Sequence, residues 1–257
     1  MIHDTAIVDA SAQLSGDIQI GAYSVIGADV EIGSGCRIGH HVQIEGPTQM
    51  GANNRIYSFV SIGTDPQDKK FHGESNSRLE IGDGNTIREF VTINRGTKAA
   101  EGLTHIGHDN WLMAYVHIAH DCRVGDHTVF ANNATLAGHV EISDWVILGG
   151  FVGVHQFCKV GEHAFAAMYS AINRDVPPFC YVSGQFARPR GINTEGLKRR
   201  GFDTPRIVII KRAYRTLYMA GLSRAEARER IAQQAESNPD VAAFLAFIDA
   251  SERSLVR

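Results

Sequence analysis

The sequence predicts a parallel β-helix of triangular cross-section over residues 1–190, followed by a small α-helical domain over residues 191–257. Three observations carry that reading. An aliphatic residue recurs at every sixth position, glycine often follows it, and the tail changes to helical spacing with capping signals.

Counting in sixes from Ile2 gives Val8, Leu14, Ile20, Ile26, Ile32, Ile38, Ile44, Met50, Ile56 and Ile62 without a gap. Glycine follows at 21, 27, 33, 39, 51 and 63, where it eases the bend between short sides. The phase resumes at Ile81, Ile87 and Ile93, and again from Ile106 through Ile118, Leu136 and Val154 to Ile172. Each restart is offset by one residue, so loops are expected within 64–80 and 95–105. Hexapeptide repeats are a signature of β-helices, in which one residue in six points inward from each short side. Three sides make a coil of 18 residues, so residues 18 apart stack at roughly 4.8 Å. A helical reading fails, because an amphipathic helix alternates apolar spacings of three and four.

In the tail, Ser223-Arg-Ala-Glu226 reads as a capping box that opens a polar helix. Asn238-Pro-Asp240 begins the next one, since proline and an acid suit a first helical turn. Spacing also turns helical between "NTEGLKRRGF" and "TPRIVIIKRAYRTLYMAG".

Bulk properties narrow the function classes. The chain has 257 residues, is 44% hydrophobic and carries a net charge of -3, which does not favour a nucleic-acid role. No apolar run approaches the roughly 20 residues of a membrane-spanning helix, and the first residues do not read as a signal peptide. The cysteines (36, 122, 158 and 180) form no CxxC pair. Cys122 and Cys158 fall two coils apart, about 9.6 Å, too far for a disulfide within one chain. A cytoplasmic protein with reduced thiols is expected.

The stretch "HIAHDCRVGDHTVFANNATLAGHV" places four histidines among residues 117–140. The 18-residue period sets His120, Gly138 and Gln156 in one ladder and Asp121 beneath His139, with His117 and His155 flanking. A lone histidine such as His3 or His40 is expected to be merely solvated, but this convergence asks for a role. A histidine titrates near neutrality and makes a good general base. Alternatively, three neutral imidazoles can hold Zn²⁺ with one open position, as in prism-shaped carbonic anhydrases.

The segments "HIAHDCRVG", "NNATLAGHV", "VHQFCKVG" and "NTEGLKRRGF", in this order on this scaffold, resemble the UDP-N-acetylglucosamine O-acyltransferases that begin lipid A synthesis. The likeness extends over nearly the whole chain, including "DKKFHGE" and "RGT" at 95–97. It implies a left-handed β-helix, a homotrimer with clefts between subunits, and transfer of an (R)-3-hydroxyacyl group from acyl carrier protein to the sugar 3-hydroxyl. No metal or other cofactor is implied. His120 matches the family's general base, Asp121 the group that orients it, and the Gly138 N–H the oxyanion donor. Asp68, Lys70, Asn94, His117 and His139 match positions around the sugar and acyl groups, and His155 and Gln156 match further contacts. Asn193, Glu195, Arg199 and Arg200 match the nucleotide end, where arginine offers bidentate recognition.

Two departures stand out. Asn94 occupies a position where some members have histidine, and Met168 lies at the acyl-length gauge, where some have glycine. A bulky side chain there removes room for methylenes, so a decanoyl-class donor is expected, the alternative being that Met168 simply packs between subunits. Nine basic residues face two acidic ones between 188 and 215. Among them Lys198, Arg199, Arg200, Lys211 and Arg215 are expected to contact the acidic carrier protein. The related N-acyltransferases carry an additional N-terminal domain, for which hexads beginning at residue 2 leave no room. A non-catalytic coil would favour an unbroken surface over two loops and clustered histidines.

Overall fold

A computed structural model of the chain describes residues 1–98 and 100–257. Short strands form three sheets of nine, eight and ten strands, parallel except for the final pair of the third, that make the faces of a left-handed prism. The register follows the predicted coil: Ile118 pairs with Leu136, and Leu136 with Val154. Across the loops the pairs lengthen to Ile62 with Ile93 and Ile93 with Ile118. The hexad positions fill the interior, where Ile44, Ile62, Ile93, Ile118 and Leu136 are fully buried. Burying each such side chain stabilises the fold by about 1.5–3 kcal/mol.

The third residue after most inward aliphatics turns a corner with positive φ, as at Asp121 (60°), His139 (61°) and Phe157 (62°). A left-handed non-glycine residue costs about 1–2 kcal/mol. Stacking between coils offsets part of that. Along one corner Tyr23, His41, Phe59, Phe90 and Tyr115 stack with centroids 4.8–5.3 Å apart. Inside another corner Asn54, Asn85, Asn110 and Thr128 form a buried hydrogen-bonded ladder. The first loop leaves the prism between strands Ser61–Thr64 and Arg78–Ile81. The second leaves between Thr92–Asn94 and Leu103–Ile106.

The top of the prism ends in an antiparallel hairpin, Cys180–Ser183 with Arg188–Ile192. Four helices follow: α1 Thr194–Arg199, α2 Thr204–Tyr218, α3 Arg224–Ala235 and α4 Pro239–Ala250. Ser223 and Glu226 form the expected capping box on α3, and Asn238 caps α4. Arg206 on α2 pairs bidentately with the buried Asp240 on α4 at 2.6 and 2.7 Å. The last residues return to the prism, where Val256 N–H donates to the Asp175 carbonyl at 2.9 Å. No helix among the described residues is long and apolar enough to cross a membrane. The four cysteines are buried and unpaired.

Candidate active site

The period that builds the prism also builds a polar cluster on one of its corners. His120 Nδ1 lies 2.8 Å from Asp121 Oδ2. Asp121 also accepts from the Thr97 N–H at 2.9 Å and the Thr97 hydroxyl at 2.6 Å. Burial pushes the Asp121 carboxyl up, but the hydrogen bonds from His120 and Thr97, with the nearby His139, outweigh it and leave it below its ordinary range. Because an ionised carboxylate only accepts, the shared proton sits on His120 Nδ1, and Nε2 keeps its lone pair.

One coil above, Gly138 packs against that ring. A Cβ added there would fall 2.8 Å from His120 Nε2 and 2.6 Å from Cε1. At some equivalent positions the N–H is taken up by a side chain of the next coil, as Ala22 by His40, Ala52 by Asp83, His108 by Asp126 and Asp126 by Asp144. At Gly138, among the described residues, the N–H has no acceptor. An imidazole nitrogen with a free lone pair and a backbone donor thus lie side by side, an arrangement that can serve acyl transfer.

His139 stacks on Phe157 at 4.5 Å and meets the His120 ring edge-on at 5.2 Å. Its Nε2 is 3.7 Å from Asp121 Oδ2, a charge contact too long for a hydrogen bond. Burial lowers the pKa of His139 despite the opposing charges of Asp121 and Asp68. Burial, with the charge of His120, also lowers that of His117, whose Nδ1 lies 2.7 Å from the Thr92 hydroxyl. Gln156 and His155 are exposed in the coil above, and His155 Nδ1 is 3.3 Å from Arg253 Nη1.

Loop residues reach the cluster at two points: Thr97 bonds Asp121, and Asp68 lies near enough to His139 to act on its charge. Asp68 accepts from the Lys70 N–H at 3.0 Å, and Lys70 is exposed. Asn94 is 2% exposed, and its amide donates to the carbonyls of Thr64 and Asp65, which leaves Oδ1 buried without a partner. Sequence reasoning missed Thr92 and Thr97. Thr97 lies within the quoted "RGT", but only the folded loop shows that it holds Asp121.

The other expected residues lie elsewhere on this chain. Asn193 caps α1 by accepting from the Gly196 N–H at 3.1 Å, and its amide donates to the His163 carbonyl at 3.0 Å. Arg200 stacks over Trp145 at 5.1 Å, with Nη1 3.3 Å from His163 Nδ1. Glu195 pairs with Lys198 on the exposed side of α1, and Arg199 is exposed beside them. His163 and Trp145 belong to a different corner from His120. Lys211 and Arg215 on α2 line a cavity beside the hairpin. Met168 is 61% exposed on the corner that carries the Phe151–Tyr169 stack.

His163 makes a pH prediction. Burial, reinforced by Arg200 and Arg206, lowers its pKa to about 4. In the unfolded chain it titrates near its ordinary value of about 6.5, so the unfolded state binds the extra proton between these values. Its contribution is complete above pH about 6.5 and is lost as pH falls toward about 4. Allowing for its partial exposure, we expect about 1–2 kcal/mol. Thermal unfolding from pH 7 to 4.5 should therefore show a shallower acid-side decline for His163→Gln than for the wild type. Parallel curves would remove His163 as the cause.

Comparison with known proteins agrees with this geometry. A family model described as "Udp N-acetylglucosamine O-acyltransferase; Domain 2" matches residues 175–256, and a bacterial transferase hexapeptide model matches 103–138. An acyl-[acyl-carrier-protein]–UDP-N-acetylglucosamine O-acyltransferase of Xylella fastidiosa is 59% identical, with 100% of this chain and 98% of the relative covered. The namesake of Thiobacillus denitrificans is 57% identical over 100% of this chain and 99% of its own. The UDP-N-acetylglucosamine acyltransferase structure of Francisella novicida superposes with a TM-score of 0.98 at 43% identity, covering 100% of this chain and 94% of that one.

The zinc-hydratase alternative finds no support. The close ligand atoms belong to His120, Asp121 and His139, not to three histidines. Asp121 is already committed to His120 and Thr97, and His117 is committed to Thr92. Relatives matching end to end, and a prism that presents a histidine base beside a free backbone donor, agree: this chain belongs to the acyl-[acyl-carrier-protein]–UDP-N-acetylglucosamine O-acyltransferase family.

Proposed function

We propose that this chain transfers an (R)-3-hydroxyacyl group from acyl carrier protein to the glucosamine 3-hydroxyl of UDP-N-acetylglucosamine. This is the first step of lipid A synthesis, carried out in the cytoplasm by a homotrimer without metal or other cofactor. The observation that carries the reading is the Thr97–Asp121–His120 chain of hydrogen bonds ending beside the free Gly138 N–H.

His120 Nε2 takes the proton of the sugar hydroxyl as its oxygen attacks the thioester carbonyl. The Gly138 N–H receives the developing oxyanion. Collapse of the tetrahedral intermediate expels the pantetheine sulfur, which takes the proton back from the imidazolium. Asp121 holds the ring in the required tautomer and stabilises its charged form. Asp68, Lys70, Asn94, His117 and His139 surround the sugar and acyl groups, and His155 and Gln156 extend that wall. Asn193, Glu195, Arg199 and Arg200 bind the nucleotide. They lie on a different corner from His120, so a neighbouring subunit would complete each cleft, which supports the trimer. Lys198, Arg199, Lys211 and Arg215 offer their charge to the carrier protein. Arg200, half-buried against Trp145, contributes less to that docking.

The test is acyl transfer from hydroxydecanoyl and hydroxymyristoyl carrier proteins, with and without chelator. Chelator-resistant transfer that prefers the shorter chain is expected. Met168→Gly should move that preference toward the longer chain by roughly 5- to 150-fold in kcat/KM, the equivalent of relieving about 1–3 kcal/mol of overpacking. Zinc-dependent activity would overturn the mechanism. A wild-type preference for the longer donor would return Met168 to a packing role.

A further inference from the structure

A cavity of about 1000 Å³ lies away from the histidine cluster. It opens between the hairpin strand Arg188–Ile192, α2, the start of α3 and the last residues. That volume is at the upper end of small-ligand sites, roughly 300–1000 Å³. Six cationic side chains line it: Arg188, Arg190, Lys211, Arg215, Arg224 and Arg257. Among the described residues none of the six has a carboxylate side-chain partner. Two of them meet only neutral acceptors: Arg190 donates to the Ser183 hydroxyl at 3.1 Å and Arg224 to the Ile248 carbonyl at 2.9 Å.

Like charges gathered around one concavity repel, and an anion that enters it relieves the repulsion. The rest of the lining is mixed: Thr194, Ser223 and Ser254 add hydroxyls, while Leu217, Leu222 and Leu255 form an apolar stretch of the wall. Tyr218 lines the same space, and its hydroxyl is buried without a hydrogen-bond partner. Burial holds that phenol well above its ordinary pKa, so it stays protonated as a donor. A buried donor left unmet costs about 1–3 kcal/mol unless a ligand satisfies it.

We propose that this cavity is a second, non-catalytic site for a phosphate monoester carried on a hydrocarbon chain, with the phosphate on the arginine forks and the chain against the leucines. Guanidinium groups match phosphate bidentately, and the leucines give a tail the burial that inorganic phosphate lacks. The site shares Lys211 and Arg215 with the carrier-protein reading but does not depend on it. A half-open concavity of this volume suits a small amphiphile better than the convex face of a folded partner.

The test is calorimetric titration of the full-length protein with decyl phosphate below its micellar concentration, alongside inorganic phosphate and the neutral decyl maltoside. Decyl phosphate should bind about tenfold or more tightly than either control. The exposed pair Arg188→Ala/Arg190→Ala should weaken it about tenfold and flatten its salt dependence. Tyr218→Phe should weaken it about threefold or more, and an unchanged thermal transition verifies that each variant is folded. Equal binding of all three ligands, or binding indifferent to these substitutions, overturns the proposal. So does a double variant that loses affinity for unacylated carrier protein while keeping decyl phosphate, which would make the surface a protein dock.

Discussion

His120→Ala is expected to lower kcat for acyl transfer by about 10²- to 10⁴-fold, the usual worth of a positioned general base, with little change in KM for the nucleotide sugar. The ring is anchored from one side by Asp121 and, at 16% exposure, is largely covered by its neighbours on the corner, outside the aliphatic interior. The variant should stay folded but lose some stability, because Asp121 is left without its His120 partner. Asp121→Asn should approach the same loss of kcat by a different route. An amide can offer its N–H to Nδ1, which moves the ring proton to Nε2 and removes the base. Asp121 is also the acceptor for the Thr97 N–H and hydroxyl, so this variant should lose more stability than His120→Ala, which leaves that hold in place. Steady-state kinetics paired with thermal unfolding would separate the two. A His120→Ala enzyme within a few-fold of wild type would remove histidine as the base.

The second large effect is expected at Gly138→Ala. The backbone there does not require glycine, because its φ is not among the positive ones. What glycine provides is space, since the methyl would arrive 2.6–2.8 Å from the His120 ring. The ring is the part that can give way, so the fold should survive while the 2.8 Å bond to Asp121 is lost. The same methyl crowds the approach to the free N–H. Loss of an oxyanion donor alone costs about 2.7–4 kcal/mol, so kcat should fall about 10²- to 10³-fold or further. Ring displacement can be read directly from the histidine NMR shifts. Unchanged shifts with unchanged kcat would show that neither the contact nor the donor matters.

How much of this was legible beforehand depends on the kind of residue. The prism was legible because each coil is its own template: a residue's neighbours above and below lie 18 positions away, and a hexad pattern is visible without any knowledge of the fold. The His120–Gly138–Gln156 ladder and the placing of Asp121 under His139 followed from the same arithmetic, and the register agrees. Capping by Ser223 and Asn238 was legible because a cap is a contact within three residues.

What escaped lies off the period. The hold of Thr97 on Asp121 crosses 24 positions and depends on how the second loop folds back. The Thr92–His117 contact spans 25 positions, a coil lengthened by that same loop. Asn193 and Arg200 were matched only as a motif, and their partners His163 and Trp145 emerge once the helices dock on the prism. The cationic cavity is likewise assembled from a hairpin, two helices and the final residues, which no spacing relates. The sequence by itself determined the coil, its register and the stacked histidines, because a repeating chain makes its tertiary contacts at a fixed sequence separation. The tertiary structure alone decided how loops and helices fasten to that coil, because their positions are set by packing and hydrogen bonds between segments with no common period.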